Sequence, residues 1–206
     1  MSICREIHEK LNNLPRFDYP FYPEFIPSNG IYIIFERNEF AHGVDKVVHI
    51  GTHNSQNGLV DRLCEIFENE NKNRSILRKY IGGCILNKLD DSYVNIWRKN
   101  TTRTKVKKNL KELINVEYER KIEEQVTKYI IENLSFVVIE EDDKNKRTFI
   151  KNELISEISR CEECNQSTNW LGNYAVNHKV KNSGLWNDNG LYKERTTNYI
   201  IEKLSI

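Results

Sequence analysis

The chain carries no excess of either charge: 31 basic and 30 acidic residues leave a formal net charge of +1. Overall charge therefore gives no argument for a nucleic-acid partner, and any electrostatic footprint must come from local clustering. No apolar run approaches the length needed to cross a bilayer. The opening Met1-Ser-Ile-Cys-Arg-Glu-Ile-His-Glu-Lys is charged and lacks the apolar core of a secretory signal. Five scattered cysteines, an odd number, suit a reducing cytoplasm better than a disulfide framework. Internal repeats, a long disordered tract, a phosphate-cradling glycine loop and a nucleophilic serine motif are also missing. What remains is an ordinary soluble composition, 30% charged and 38% hydrophobic. Its 206 residues suffice for one domain with appendages and a real core.

Two short apolar runs, Ile31–Phe35 and Lys46–Gly51, read as strands, and the turn-rich Arg37–Asp45 between them predicts an antiparallel pair joined by an irregular loop. Ser2–Leu14 reads as a short helix. Pro15–Pro27 is a proline-punctuated aromatic arm expected to wrap against the sheet. Leu59, Val60, Leu63 and Phe67 form the inward side of a helix from about Asn57 to Glu68. Gly82-Gly83 is expected to interrupt any regular element over Ile76–Leu86. Leu113, Ile114, Tyr118, Ile122, Val126, Tyr129 and Ile130 recur at helical spacing and predict one long helix over roughly Leu110–Leu134. Ser135–Glu140 is a third strand, Arg147–Ser159 a helix, and Thr196–Leu204 a last periodic stretch. Trp97, Trp170 and Trp186 are expected in the core.

This order places Tyr32 and His49 on neighbouring strands, with Arg62 on the helix that follows and Glu153 on a later one. Tyrosine, histidine, arginine and a single glutamate are a kit for phosphodiester hydrolysis. That reaction needs an activated water, neutralisation of growing phosphate charge and help for the leaving oxygen. Trp97–Lys111 adds a basic run without an acidic residue: Arg98, Lys99, Arg103, Lys105, Lys107, Lys108 and Lys111. Such a run supplies phosphate contacts, which give affinity and salt dependence rather than sequence choice. Cys161-Glu-Glu-Cys164 has zinc-like spacing, but no second pair follows and His178 is the only downstream histidine. Two unligated thiols in a turn is the preferred reading.

Gly30-Ile31-Tyr32, His49-Ile50-Gly51, Arg62-Leu63, Glu153 in Glu-Leu-Ile and Asn187 in Leu-Trp-Asn together resemble the GIY-YIG nuclease family, in that family's order. The resemblance spans roughly Ser28 to Asn187. It implies an α/β (α+β) fold, a small antiparallel three-stranded sheet flanked by helices and elaborated at both ends. Residues 1–27 would be an N-terminal helix and arm, and 28–206 the nuclease domain. A basic insertion at about 87–111 and a C-terminal extension over 161–206 belong to that one compact unit. The implied activity is divalent-metal-dependent DNA cleavage of restriction or defence type, with a homodimer serving two strands.

The family's roles fall on particular residues here. Glu153 would hold Mg2+, for which Mn2+ substitutes, with waters and substrate oxygens completing the shell. Arg62 would donate paired hydrogen bonds to the scissile phosphate. From spacing alone, Arg62 reads as a surface arginine paired with Asp61 or Glu65, and Glu153 as a solvated glutamate. Tyr32 would activate or orient water, with Mg2+, Arg62 or Lys46 supplying the cationic charge a phenolate needs. Asn187 would bind phosphate or a metal-bound water. Two positions depart from the family. His49 replaces its second tyrosine, leaving the base open between Tyr32 and His49. Ile66 stands where a histidine is common, with His53 as a substitute imidazole. These departures favour the alternative of a DNA-binding module without catalysis. A protein-interaction domain carrying coincidental triplets is the third reading.

Overall fold

The computed structural model describes residues 2–102 and 104–193, apart from the side chain of Lys107. Thr196–Leu204 and Arg103 lie outside the described residues. The sheet is built on a long hairpin. β1 (Gly30–Ala41) and β2 (Val44–Thr52) are joined by His42 and Gly43 alone, with φ of 56° and 85°. Two residues in that region make the tight turn whose twist matches paired strands. The expected irregular loop over Arg37–Asp45 is therefore mostly strand: Phe40 pairs with Asp45 and Ala41 with Val44. What broke the pattern is a bulge. Register shifts fall between Ile34 and Phe35 and between Phe35 and Phe40, with Asn38 at a φ of 67°. The extra residues bend the strand and re-aim Glu36 and Glu39.

β3 (Leu134–Glu140) pairs antiparallel with the other side of β1, giving the order β2-β1-β3. Ile31, Ile33 and Phe35 face one layer, with α1 (Ile3–Asn12) and α7 (Lys144–Ser159). Tyr32, Ile34 and Val48 face the other, with α2 (Leu59–Phe67), α3 (Ile76–Lys88) and α6 (Val116–Asn133). A strand covered on both faces shows a continuous apolar run rather than alternation, which is the pattern of Ile31–Phe35. The aromatic arm does pack on the sheet. Phe17 exchanges backbone hydrogen bonds with Phe136 and stacks on its ring, and Phe21 is buried, while Tyr22 and Phe25 remain exposed.

Two helices differ from expectation. α3 runs unbroken through Gly82-Gly83 because Trp97, in the short α4 (Val94–Trp97), needs the room. A Cβ on Gly82 would lie 2.4 Å from the indole. The long helix is divided instead. α5 spans Thr104–Asn109, and Asn115 caps α6 by accepting from Tyr118 N–H. A side chain that satisfies the first-turn donors fixes a helix start where periodicity alone would run on. Leu113 is left 57% exposed, whereas Ile122, Val126 and Ile130 are buried.

The C-terminal stretch is bound to the sheet. Trp170 and Trp186 both donate from Nε1 to the Glu36 carboxylate, at 3.0 and 2.9 Å, and Tyr129 also donates to it. Glu39 accepts from the backbone and side chain of Ser167. All three tryptophans are buried, and α8 (His178–Ser183) leads into Leu185 and Trp186 of the core. No helix among the described residues is long and apolar enough to cross a membrane.

Candidate active site

Tyr32 and Gly51 are directly opposed across β1 and β2. The tyrosine ring lies over the glycine: a Cβ on Gly51 would sit 2.1 Å from the Tyr32 hydroxyl oxygen. The glycine of the second triplet is thus the absence of a side chain that lets the phenol lie flat across the sheet. Arg62, in the first half of α2, closes over the ring and donates from Nε to the Tyr32 oxygen at 3.2 Å. Its Nη1 donates to Glu65 Oε2 at 2.9 Å and to the Arg74 carbonyl at 2.8 Å. Burial works against the Arg62 charge, but Tyr32 and Glu65 outweigh it and the pKa shifts upward. The guanidinium is held charged and oriented, which a phosphate-binding group requires.

His49 lies beside this pair, its ring 5.9 Å from that of Tyr32. It is fully enclosed, and its Nδ1 has no hydrogen-bond partner among the described residues. Burial, with the Arg62 charge in support, pushes its pKa down to about 3. His49 is therefore a neutral ring at physiological pH. Because the unfolded histidine takes a proton near pH ~6.5 and the folded one does not, its contribution to stability is intact above that value. It is lost as pH falls toward 3, by about 1.4 kcal/mol per unit. Urea midpoints of wild type and His49→Tyr between pH 7 and 4 check this: the variant is expected to lose less stability on acidification.

His53 occupies a different role. Its Nε2 accepts from Gly30 N–H at 3.2 Å, and Nδ1 donates to the Ser55 carbonyl at 2.7 Å, which fixes the tautomer. Asn29 ties the same corner together through Asn57 and Asp142. His53, Arg62, Asp61, Glu65, Asn73 and Arg74 line an open cleft of about 660 Å³. Ile66 is fully buried and faces the core, with its carbonyl accepting from Arg78. A histidine there would not reach the cleft.

The structure brings Tyr32, His49 and Arg62 together and sets His53 at the cleft rim. Lys46 is not with them. It is at the opposite end of β2, donating to the Gly184 carbonyl at 2.5 Å and facing the Trp170 ring. Asn187 lies against β2, where its amide mimics a strand partner. Oδ1 accepts from Ile50 N–H at 3.0 Å and Nδ2 donates to Ile50 O at 2.9 Å. With Trp186 N–H donating to Val48 O at 2.7 Å, it covers the edge of the sheet. Glu153 is half-buried on α7, which packs against β2, and Lys151 of the same helix bears electrostatically on His49. Its carboxylate is a hard oxygen donor and fits Mg2+ in donor chemistry, with water and phosphate oxygens left to complete the shell. Arg98, Lys99, Lys105 and Lys108 are all exposed.

Sequence reading missed Asp61, Asn73 and Arg74 as cleft residues, since no motif marks a loop that folds back on a helix. It also missed Arg147, buried at the start of α7 and donating to the carbonyls of Glu141 and Asp142. Its Nε is, with His49 Nδ1, an unpartnered buried polar atom among the described residues. A model of the GIY-YIG domain matches residues 3–205, nearly the whole chain. That domain marks DNA endonucleases, which generally depend on a divalent metal. No curated protein and no solved structure matches the chain.

Proposed function

The chain belongs to the GIY-YIG family, and from that premise we propose a Mg2+-dependent restriction or defence endonuclease that hydrolyses double-stranded DNA in the cytoplasm. The observation that carries this reading is the Arg62 guanidinium, which lines the cleft and is held against the buried Tyr32 hydroxyl. Arg62 Nη2 makes no hydrogen bond among the described residues, so this edge is offered to a phosphate oxygen. As phenolate, its charge balanced by the adjacent Arg62 guanidinium, Tyr32 orients the attacking water and takes its proton, ending as the neutral phenol. Arg62 at the same time bears the charge growing on the phosphate. His49, neutral and enclosed beside the Tyr32 ring, adds no positive charge of its own to this corner of the site. Mg2+ held by Glu153, with Mn2+ as substitute, would supply Lewis-acid stabilisation of the leaving oxygen.

The exposed Arg98, Lys99, Lys105 and Lys108, with Arg103 and Lys107 of the same basic run, contact the DNA backbone, and two copies of the chain serve the two strands. Burial of His49 and the apolar Ile66 favour a second reading, a binding module that has lost catalysis. Plasmid cleavage with Mg2+ or Mn2+ separates the two. Wild type is expected to nick or linearise plasmid, and Glu153→Ala to slow this by about 10³-fold or more. DNA binding with intact plasmid under either metal would establish the module instead.

A further inference from the structure

Far from the cleft, on the α1–α7 face of the sheet, four side chains from three separate elements converge. Cys4 is in the first turn of α1, His42 opens the β1–β2 turn, and Cys161 and Cys164 follow the end of α7. Cys4 Sγ lies 3.4 Å from Cys164 Sγ, and His42 Nε2 lies 3.3 Å from Cys164 Sγ and 3.5 Å from Cys161 Sγ. The thiols of Cys4 and Cys161 are also within interaction range. Atoms on a tetrahedron around zinc, with Zn–S of about 2.3 Å and Zn–N of about 2.0–2.1 Å, are separated by roughly 3.5–3.8 Å. The three spacings of 3.3–3.5 Å are close to those of such a cage, slightly contracted.

The histidine is prepared for this task. The His42 side chain is fully buried, and its Nδ1 donates to Glu163 Oε2 at 3.0 Å. A carboxylate behind Nδ1 fixes the tautomer that directs the Nε2 lone pair at the three sulfurs, as ligating histidines require. His8, one turn after Cys4, belongs to the same cluster with its Nδ1 3.6 Å from Cys4 Sγ, but its nitrogens are engaged elsewhere. Its Nδ1 donates to the Cys4 carbonyl at 2.9 Å, and its Nε2 accepts from Val47 N–H at 3.3 Å, so both nitrogens are spent on backbone.

We infer that Cys4, His42 Nε2, Cys161 and Cys164 form a structural Zn2+ site that ties α1, the hairpin turn and the end of α7 to one another. Three thiolates and an imidazole are soft donors in tetrahedral array, the chemistry of zinc and not of Mg2+. The protein supplies all four ligands, so no position remains for a catalytic water. This metal is separate from any held by Glu153 and serves the fold. Cys161 and Cys164 have no second pair downstream, but the fold brings upstream residues to them, Cys4 lying 160 residues before Cys164.

The test is the metal content of the full chain, dialysed without strong chelator, by plasma mass spectrometry, with the cobalt-substituted protein examined by visible absorption. About one zinc per chain is expected, together with the intense d–d bands of tetrahedral, thiolate-rich cobalt. Zinc should fall to background in Cys164→Ser and in His42→Asn, which keeps a residue tolerant of positive φ, and stay in Glu153→Ala and Cys64→Ser. The wild-type cobalt spectrum requires no variant and so holds even if the substitutions impair folding. Absence of zinc with all thiols freely titratable in the native chain would overturn the inference. So would a Cys4–Cys164 disulfide in the reduced-purified protein, or zinc that survives Cys164→Ser.

Discussion

Arg62→Ala is expected to lower the single-turnover rate of DNA cleavage by about 10²–10³-fold, the usual cost of removing one preorganised donor from a developing charge. The effect should fall on the chemical step, because the guanidinium meets the scissile phosphate rather than the distant backbone. Arg62→Lys is expected to recover little. Lysine is a point charge and cannot hold Tyr32, Glu65 and the Arg74 carbonyl with one planar fork while facing a phosphate. Arg62 is partly exposed and Glu65 keeps a second partner in Arg74, so unfolding stability should change by no more than about 1 kcal/mol. Single-turnover rates alongside urea midpoints check both halves. A rate loss matched by a large stability loss would make Arg62 a structural residue.

Arg78→Ala is expected to destabilise the chain by about 3–5 kcal/mol, the largest stability effect on this face of the sheet. Arg78 is completely buried where α3 meets α6. It donates to the Glu123 carboxylate at 3.0 Å, to the carbonyls of Ile66 and Glu123, and to Thr127 Oγ1 at 2.6 Å. Burial raises the Glu123 pKa despite Arg78 and the Lys72 N–H that also donates to it, so Glu123 without Arg78 would be worse placed still. The cost arises mainly from the stranded group, and the double variant Arg78→Met/Glu123→Leu should therefore be less destabilised than Arg78→Ala alone. Urea unfolding of the three chains decides it. Additive losses in the double variant would contradict the pairing.

The order of the elements around the site was legible because each local signal has a local cause. Ile31–Phe35 is a strand covered on both faces, Leu59, Leu63 and Phe67 are an inward stripe, and the triplets mark where Tyr32 crosses Gly51. Errors came where a distant partner decides the local outcome. Gly82 is helical because Trp97 packs on it, and β1 resumes pairing at Phe40 and Ala41 after a bulge that carries Glu36 and Glu39 to Trp170, Trp186 and Ser167. Asn115 ends the apolar repeat by capping, a choice that periodicity does not weigh. Lys46 illustrates the same limit at the level of the site. Its position in β2 is readable, yet the bulge and the C-terminal segment determine that it meets Gly184 and Trp170 rather than Tyr32. The Cys4, His42, Cys161 and Cys164 cluster has no spacing rule at all, because the fold alone brings its members together.

The most direct test of the site is single-turnover cleavage by Tyr32→Phe. Phenylalanine keeps the ring packed on Gly51 and removes only the hydroxyl that Arg62 contacts. The predicted result is a fall in rate of about 10²-fold or more, with DNA affinity and urea midpoint close to wild type. Cleavage by Tyr32→Phe at the wild-type rate would show that the chemistry does not use this phenol, and would contradict the assignment of the site.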